Sequence, residues 1–281
     1  MIRQKSFPEQ GACLYLVATP IGNQQELTPR AKEILSSVDI VAAEDTRHTK
    51  GLLQVHGIDA HLISHHEHNQ NASIEAILSL LEEGKKVAVV SDAGYPLISD
   101  PGAALVRAVI EKGYCVIPVS GANAATNALV ASGLDTQHYL YYGFLNSKSS
   151  KRKSELKTLK EFPYTMIFYE APHRIEDMLE DLLEVLGNRK ICLARELTKL
   201  HEEFIRGDIQ DVLEICDSLK GEMVVVVDGN KEEKEIDWDS MIEEVHLLSK
   251  DMPTNKAIKR IAKEKGVSKN ELYQRVLDNK Q

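Results

Sequence analysis

The chain has 281 residues, 43% hydrophobic and 27% charged, with a formal net charge of −9 at neutral pH. That composition describes a globular protein of one large or two ordinary domains, able to bury its own cores. No stretch approaches the roughly 20 apolar residues of a membrane span, and the first ten residues, MIRQKSFPEQ, lack an apolar signal core, so the cytoplasm is the expected compartment and no membrane is expected as partner. The acidic balance argues against an indiscriminate nucleic-acid binder. Cys13, Cys115, Cys192 and Cys216 stand singly without a CxxC pair and read as buried thiols, not as ligands or a disulfide framework.

In chain order, Leu14 to Ala18 reads as a first strand with TPIGN as its exit loop, and Thr28 with Pro29 as the cap and first turn of a helix through Leu35. A second strand, DIVAAE, runs into Glu44, Asp45, Thr46, Arg47 and His48, a polar cluster that reads equally as a hydrated loop. A helix and the strand HLISHHEHN follow, and the apolar residues at 74, 77, 78 and 81 predict a helix over 71–83. Val87 to Val90 is an apolar run without alternation, as in a strand covered on both faces. It ends in SDAGYPLISDPG, too rich in breakers for helix or strand. Asp100 and Pro101 fit N-cap and N1 of a helix that Gly113 stops, and YCVIPV, Tyr114 to Val119, is the next buried strand, leading into SGANAA. Five strands separated by helices predict a doubly wound α/β domain over 1–120, with its loops at the carboxyl ends of parallel strands, where ligands bind.

A second α/β domain is expected over 121–230: a helix, the strand YLYYGF, the basic exposed loop NSKSSKRKSE, the strand YTMIFYE, the loop APHR and a helix with apolar positions at 175, 178, 179, 182, 183 and 186. The strands KICLARE, HEEFIRG and EMVVVVDG follow, with a helix from Ile209 to Leu219. Residues 231–281 read as an acidic linker, NKEEKEIDWD, and a helical tail in which Met252 to Gln281 carries eight Lys/Arg against three Asp/Glu. A basic tail on an acidic protein reads either as a solvated surface or as a face toward RNA.

No pair of glycines has GxG spacing, and GxxxxGK[ST], GxSxG and HExxH are all absent, which leaves a ligand without phosphate as the better fit to the Asp- and Pro-rich loops. Asp92 directly follows a buried strand and has no capping role, so it is a candidate contact to a ligand ribose or amine. His65, His66 and His68 invite a zinc reading, but only His66 and His68 share a strand face and no third ligand is evident. Arg195, Glu196 and Lys199 read either as structural ion pairs or as catalytic groups.

LYLVATPIGN, AAEDTRHT, HEHN, SDAGYPLISDPG, ASGL at 131–134, FYEAPHR, ARELTKLHEE and GEMVVVV occur in the order seen in the ribosomal small-subunit (16S) RNA ribose 2′-O-methyltransferases. The chain resembles this family of the tetrapyrrole methylase superfamily, the class III S-adenosylmethionine enzymes, over about residues 13 to 228, and its tail resembles the family's C-terminal helices. The resemblance implies two α/β domains of the tetrapyrrole methylase type with S-adenosyl-L-methionine in the cleft between them, a homodimer, and methyl transfer to the ribose 2′-hydroxyl of a cytidine in small-subunit RNA, free or in an assembled subunit. By motif, the cofactor would meet Pro20, Asp92, Ala93, Gly94, Leu97, Ile98, Ser99, Gly121, Ala122, Asn123, Phe168 and Tyr169, with the Glu196 to Leu200 segment nearby. Three motifs depart from the family: SGANA replaces PGPSA, which removes a serine contact, Tyr95 stands where threonine is common, and GFLNSK lacks the proline and arginine of GFLPRK.

A ribose hydroxyl is a poor nucleophile, so it must be aligned with the sulfonium methyl and relieved of its proton. Motif position and polarity nominate Glu170 or Glu196 as proton acceptor and Lys199 or Arg195 as the cation beside the oxygen. Arg47, His48 and Arg174 are nominated to grip phosphate or base, and Lys151, Arg152, Lys259 and Arg260 to extend the RNA surface. The rival readings are a methylase of the same fold acting on a tetrapyrrole or other small acceptor, and a module that binds S-adenosylmethionine or RNA without turnover.

Overall fold

The computed structural model describes residues 3–6, 11–66, 70–100, 102–231 and 237–279. Strands β1 (Cys13–Val17), β2 (Ile40–Ala43), β3 (Leu62–Ser64), β4 (Lys86–Val90) and β5 (Cys115–Val119) form one parallel sheet in the order β3-β2-β4-β1-β5. Alternate side chains explain the runs without polar residues. Val41, Ala43, Ala88 and Val90 pack with α1 (Pro29–Ser37) and α2 (Thr46–Val55), while Ile40, Ala42, Val87 and Val89 pack with α3 (Gln70–Glu82) and α4 (Ala103–Glu111) on the opposite face. Thr28 caps α1 by accepting from Ala31 N, with Pro29 following it. The expected cap of α4 is different. Gly102, at φ 130°, occupies that position and Asp100 lies two residues before it, because the chain takes positive φ at Leu97, Ser99 and Gly102 and cannot enter a helix earlier. Pro101 and His68 lie outside the described residues.

Strands β6 (Tyr139–Phe144), β7 (Thr165–Glu170), β8 (Lys190–Arg195), β9 (Glu203–Asp208) and β10 (Met223–Val227) form a second, mixed sheet in the order β6-β7-β10-β8-β9, in which only β6 and β7 run parallel. One face is covered by α5 (Ala124–Ser132), the other by α6 (Ser149–Leu159), α7 (Ile175–Leu186) and α8 (Ile209–Leu213). Two expectations are corrected. The segment read as an exposed basic loop forms α6, and the helix expected through Leu219 ends at Leu213. Arg152, assigned to RNA by its basic surroundings, is 1% exposed: Nε donates to Asp181 Oδ2 at 2.7 Å and Nη2 to Asp177 O at 3.1 Å. It anchors α6 to α7. Lys151, the next residue back, is exposed.

The chain divides into two compact units, 1–230, which holds both sheets, and 231–281. The second consists of α9 (Trp238–Leu248), α10 (Thr254–Lys265) and α11 (Lys269–Asp278) around Met241, Val245, Ile258, Ile261, Leu272 and Val276, and the Arg275 guanidinium stacks 4.3 Å from the Trp238 ring centroid. Among the described residues no helix is long and apolar enough to cross a membrane.

Removing one partner of a buried ion pair strands the other charge. Arg152→Ala is therefore expected to destabilise the 1–230 unit by about 3–5 kcal/mol in urea unfolding, whereas Lys151→Ala leaves the midpoint unchanged.

Candidate active site

Three loops that leave the carboxyl edge of the parallel sheet, those after β1, β4 and β5, are tied to one another. Thr19 N donates to Gly94 O at 2.9 Å and Gly94 N to Thr19 O at 3.1 Å, and Gly121 N donates to the Tyr95 hydroxyl at 3.2 Å. Gly121 also has to be glycine, since a Cβ there would meet Ala18 Cβ at 2.8 Å. The second sheet joins through side chains. Ser99 Oγ and the Tyr141 hydroxyl lie 2.6 Å apart, Ala125 N donates to the Tyr169 hydroxyl at 3.1 Å, and Asn23 N donates to Thr198 Oγ1 at 2.9 Å. Among the described residues, all four non-glycine positions with positive φ lie in two loops, one from each sheet: Leu97 and Ser99 after β4, Glu196 and Thr198 after β8. Backbone strain of this kind collects where a site demands a fixed shape.

Between the sheets is an apolar cleft of about 290 Å³ walled by Ile21, Ala93, Gly94, Tyr95, Ile98, Asn123, Phe144, Tyr169, Leu197, Met223 and Val224. Beside it is a second cavity of about 440 Å³, the more polar of the two, lined by Pro20, Ile21, Gln24, Leu52, Arg47, His48, Asp92, Lys199 and Glu222. Ile21, Ala93 and Glu222 line both. Lys199 Nζ donates to Glu222 Oε2 at 2.8 Å and to Glu196 Oε1 at 3.1 Å. Burial works against its charge, but Glu222 and Glu196 outweigh the burial and hold the ammonium above its ordinary range. Glu196 is likewise opposed by burial, yet the Lys199 ammonium and the Glu222 N–H hold its carboxyl below the usual range.

The nominated residues divide. Pro20, Asp92, Ala93, Gly94, Ile98, Asn123, Tyr169, Arg47, His48 and Lys199 line one or both cavities. Phe168, expected to face the cofactor, is fully buried in the core beneath the second sheet, because alternation along β7 sends its ring away from the cleft and Tyr169 toward it. Leu200 is 93% exposed and lines neither cavity. Glu170 borders the cleft with a fully buried side chain, its Oε1 taking Ala171 N at 2.8 Å and lying 2.9 Å from Arg174 Nε, and its Oε2 taking Arg174 Nη2 at 2.9 Å. Arg174 Nη2 also donates to Leu145 O at 3.2 Å. Arg195 pairs with Glu203 and donates to Lys220 O, outside both cavities. His65 Nδ1 is 2.7 Å from Ser73 Oγ, and among the described residues no group of three or more His, Cys, Asp or Glu is placed to hold a metal. Sequence reasoning missed the Tyr95 and Tyr141 hydroxyls and above all Glu222. Its signals in the sequence are its place in the motif GEMVVVV and a charge placed directly ahead of the buried run MVVVV.

The family model for Tetrapyrrole (Corrin/Porphyrin) Methylases matches residues 13–213. The chain belongs to that family. A second model, the RsmI C-terminal HTH domain, matches residues 242–280 of this tetrapyrrole methylase. It is 46% identical to the ribosomal RNA small subunit methyltransferase I of Bacillus subtilis (strain 168), covering 96% of this chain and 97% of that one, and 45% identical to the protein of that name from Escherichia coli O157:H7, covering 94% of each. Among solved structures it is similar in fold to the methyltransferase CobJ, at TM-score 0.60 and 19% identity over 79% of this chain and 96% of that one. It is also similar to a Thermus thermophilus uroporphyrin-III C-methyl transferase complexed with S-adenyl homocysteine, at TM-score 0.56 and 17% identity over 77% and 97% of the respective chains. The cleft of this tetrapyrrole methylase suits such a group: its walls are mainly aliphatic and aromatic, which fits the faces of an adenine, and Tyr95, Asn123, Tyr169 and Glu222 add a few polar groups for the hydroxyls and the amino-acid end.

Asp100 is half-buried beside Ser91, Glu44 and Asp92. Burial, with the Glu44 and Asp92 charges, pushes its carboxyl up to about 6. Because the folded carboxyl holds its proton more tightly than an unfolded one, its contribution to stability falls as pH rises from about 4 to 6 and the cost is complete above that window. Asp100→Asn is accordingly expected to raise the melting temperature at pH 7.5 by roughly 2–4 °C and to leave it unchanged near pH 4, as measured by calorimetry.

Proposed function

We propose that the protein transfers a methyl group from S-adenosyl-L-methionine to the ribose 2′-hydroxyl of a cytidine in small-subunit (16S) ribosomal RNA. The observation that carries this reading is the pair of adjoining cavities. The apolar one suits the methyl donor, and the polar one brings Arg47, His48 and Lys199 toward an anionic, hydroxyl-bearing substrate. The relatives named ribosomal RNA small subunit methyltransferase I favour RNA over a tetrapyrrole as acceptor. Bound in the cleft, S-adenosylmethionine supplies an electrophilic methyl on a sulfonium, so the chain itself has to align the hydroxyl and accept its proton. Gly94, Ile98, Asn123 and Tyr169 would hold the cofactor, and Lys199 would stand beside the oxygen that loses its proton.

The second unit supplies a further cationic surface. Lys256, Lys259 and Lys263 recur along one face of α10, opposite the buried Ala257, Ile258, Ile261 and Ala262. Arg260, nominated with Lys259, is exposed but pairs with Glu264 at 2.9 Å, and Lys265 pairs with Glu244 at 2.7 Å. Helix α11 balances Lys269 and Arg275 against Glu271 and Asp278. Charge therefore favours α10 as the helix that meets phosphate, although the second helix of a helix-turn-helix is the usual reading element. Two copies acting together, as the resemblance implies, are assayed by sedimentation of the purified protein.

Incubation with tritiated S-adenosylmethionine and small ribosomal subunits, naked 16S RNA or a porphyrinoid is expected to label RNA at one cytidine ribose. Label in the macrocycle alone defeats the RNA reading. Replacing Lys256, Lys259 and Lys263 by Glu is expected to lower the slope of log affinity for RNA against log salt by about 2, with calorimetric binding of S-adenosylhomocysteine unchanged.

A further inference from the structure

Where the two cavities meet, the polar group they share is Glu222. Its side chain is 76% exposed and is held at Oε2 by Lys199 Nζ at 2.8 Å, while its backbone N–H donates to Glu196 Oε1 at 3.1 Å and its carbonyl accepts from Glu196 N at 3.0 Å. The base of the side chain is thus fixed to the edge of β10, directly ahead of five buried residues, and its carboxylate projects into open space under the hold of a lysine. The other carboxylates near the site are otherwise engaged. Glu170 is fully buried and clamped at both oxygens by Arg174 and Ala171, and Glu196 lines neither cavity. Asp92 lines the polar cavity alone, its Oδ1 accepting from Asp45 N at 3.2 Å. A methyl donor in the apolar cleft and a hydroxyl in the polar cavity have to meet at the seam between them, and a proton acceptor for that hydroxyl has to face both spaces.

We propose that Glu222 is the catalytic base and that Lys199 is the residue that positions it, an inference that rests on the RNA-methylating reading given above. As the hydroxyl oxygen forms its bond to the methyl carbon, the carbon–sulfur bond breaks with its electron pair left on sulfur, and the hydroxyl proton passes to a carboxylate oxygen of Glu222 and then to water. Lys199, kept cationic by its two carboxylate partners, stands beside the oxygen as negative charge builds on it. Glu196 acts one step back, orienting Lys199 and the Glu222 backbone together.

The test compares wild type, Glu222→Gln and Glu222→Asp on small subunits or 16S RNA, with calorimetric titration of S-adenosylhomocysteine and the melting temperature measured on each. Glu222→Gln is expected to lower kcat by about 10²–10⁴-fold. KM for RNA, affinity for S-adenosylhomocysteine and melting temperature stay within twofold or within one degree of wild type, and Glu222→Asp recovers part of the rate. If kcat of Glu222→Gln lies within threefold of wild type, or if that variant loses S-adenosylhomocysteine binding, Glu222 is not the base. Wild type that binds S-adenosylhomocysteine yet leaves the RNA unlabelled overturns the underlying reading and this inference with it.

Discussion

The site depends on how closely two loops from different sheets can approach. Gly22, after β1, lies against the turn after β8 so tightly that a Cβ would come within 2.6 Å of Lys199 Cγ and 2.8 Å of Thr198 Oγ1. Any side chain at position 22 would push the turn outward. The turn carries Lys199 and, through Glu196, the edge of β10 on which Glu222 stands. One missing methyl group therefore sets the distance between the wall of the apolar cleft and the cation of the polar cavity.

The turn is stiffened by strain and by polar contacts that offset it. Glu196 and Thr198 hold φ of 50° and 67°, conformations that cost free energy unless the surroundings fix them. Here Thr198 N donates to Glu202 Oε2 at 2.7 Å, its hydroxyl accepts from Asn23 N, and Lys199 N closes on Glu196 O. The facing loop is arranged in the same way, with Leu97 and Ser99 at positive φ and the Ser99 hydroxyl bonded to Tyr141. Loops fixed in this way on a double-sheet frame present a pre-shaped site, which lowers the ordering cost of binding.

Burial separates charges that hold the fold from charges that face solvent. Arg152 and Asp181 lie inside, as do Glu170 and the part of Arg174 that grips it, and each pair joins neighbouring segments of the second sheet's helical layer or strand ends. Arg47, His48 and Lys256, by contrast, are exposed. A basic residue type has one meaning in the first setting and another in the second: a desolvated guanidinium needs a fixed carboxylate, whereas the guanidinium of Arg47 stays 90% exposed even while it pairs with Asp45 at 2.8 Å.

The sequence alone determined the parallel sheet and the edge at which a ligand would bind. Runs such as Val87 to Val90 without polar alternation are possible only where helices cover both faces, and breaker-rich loops at the ends of such strands leave few alternatives. Ordered motifs likewise made the family and its cofactor legible before any coordinate. Tertiary structure alone decided which side chains face which space: Phe168 and Tyr169 are neighbours in one strand and point to opposite sides, Arg152 turns inward while Lys151 stays out, and Glu222 reaches the seam only because β10 lies between β7 and β8. The physical reason is that burial and contact in this protein arise between segments far apart in the chain, as Gly22 and Lys199 are, and periodicity within a segment does not record which distant segment will pack against it.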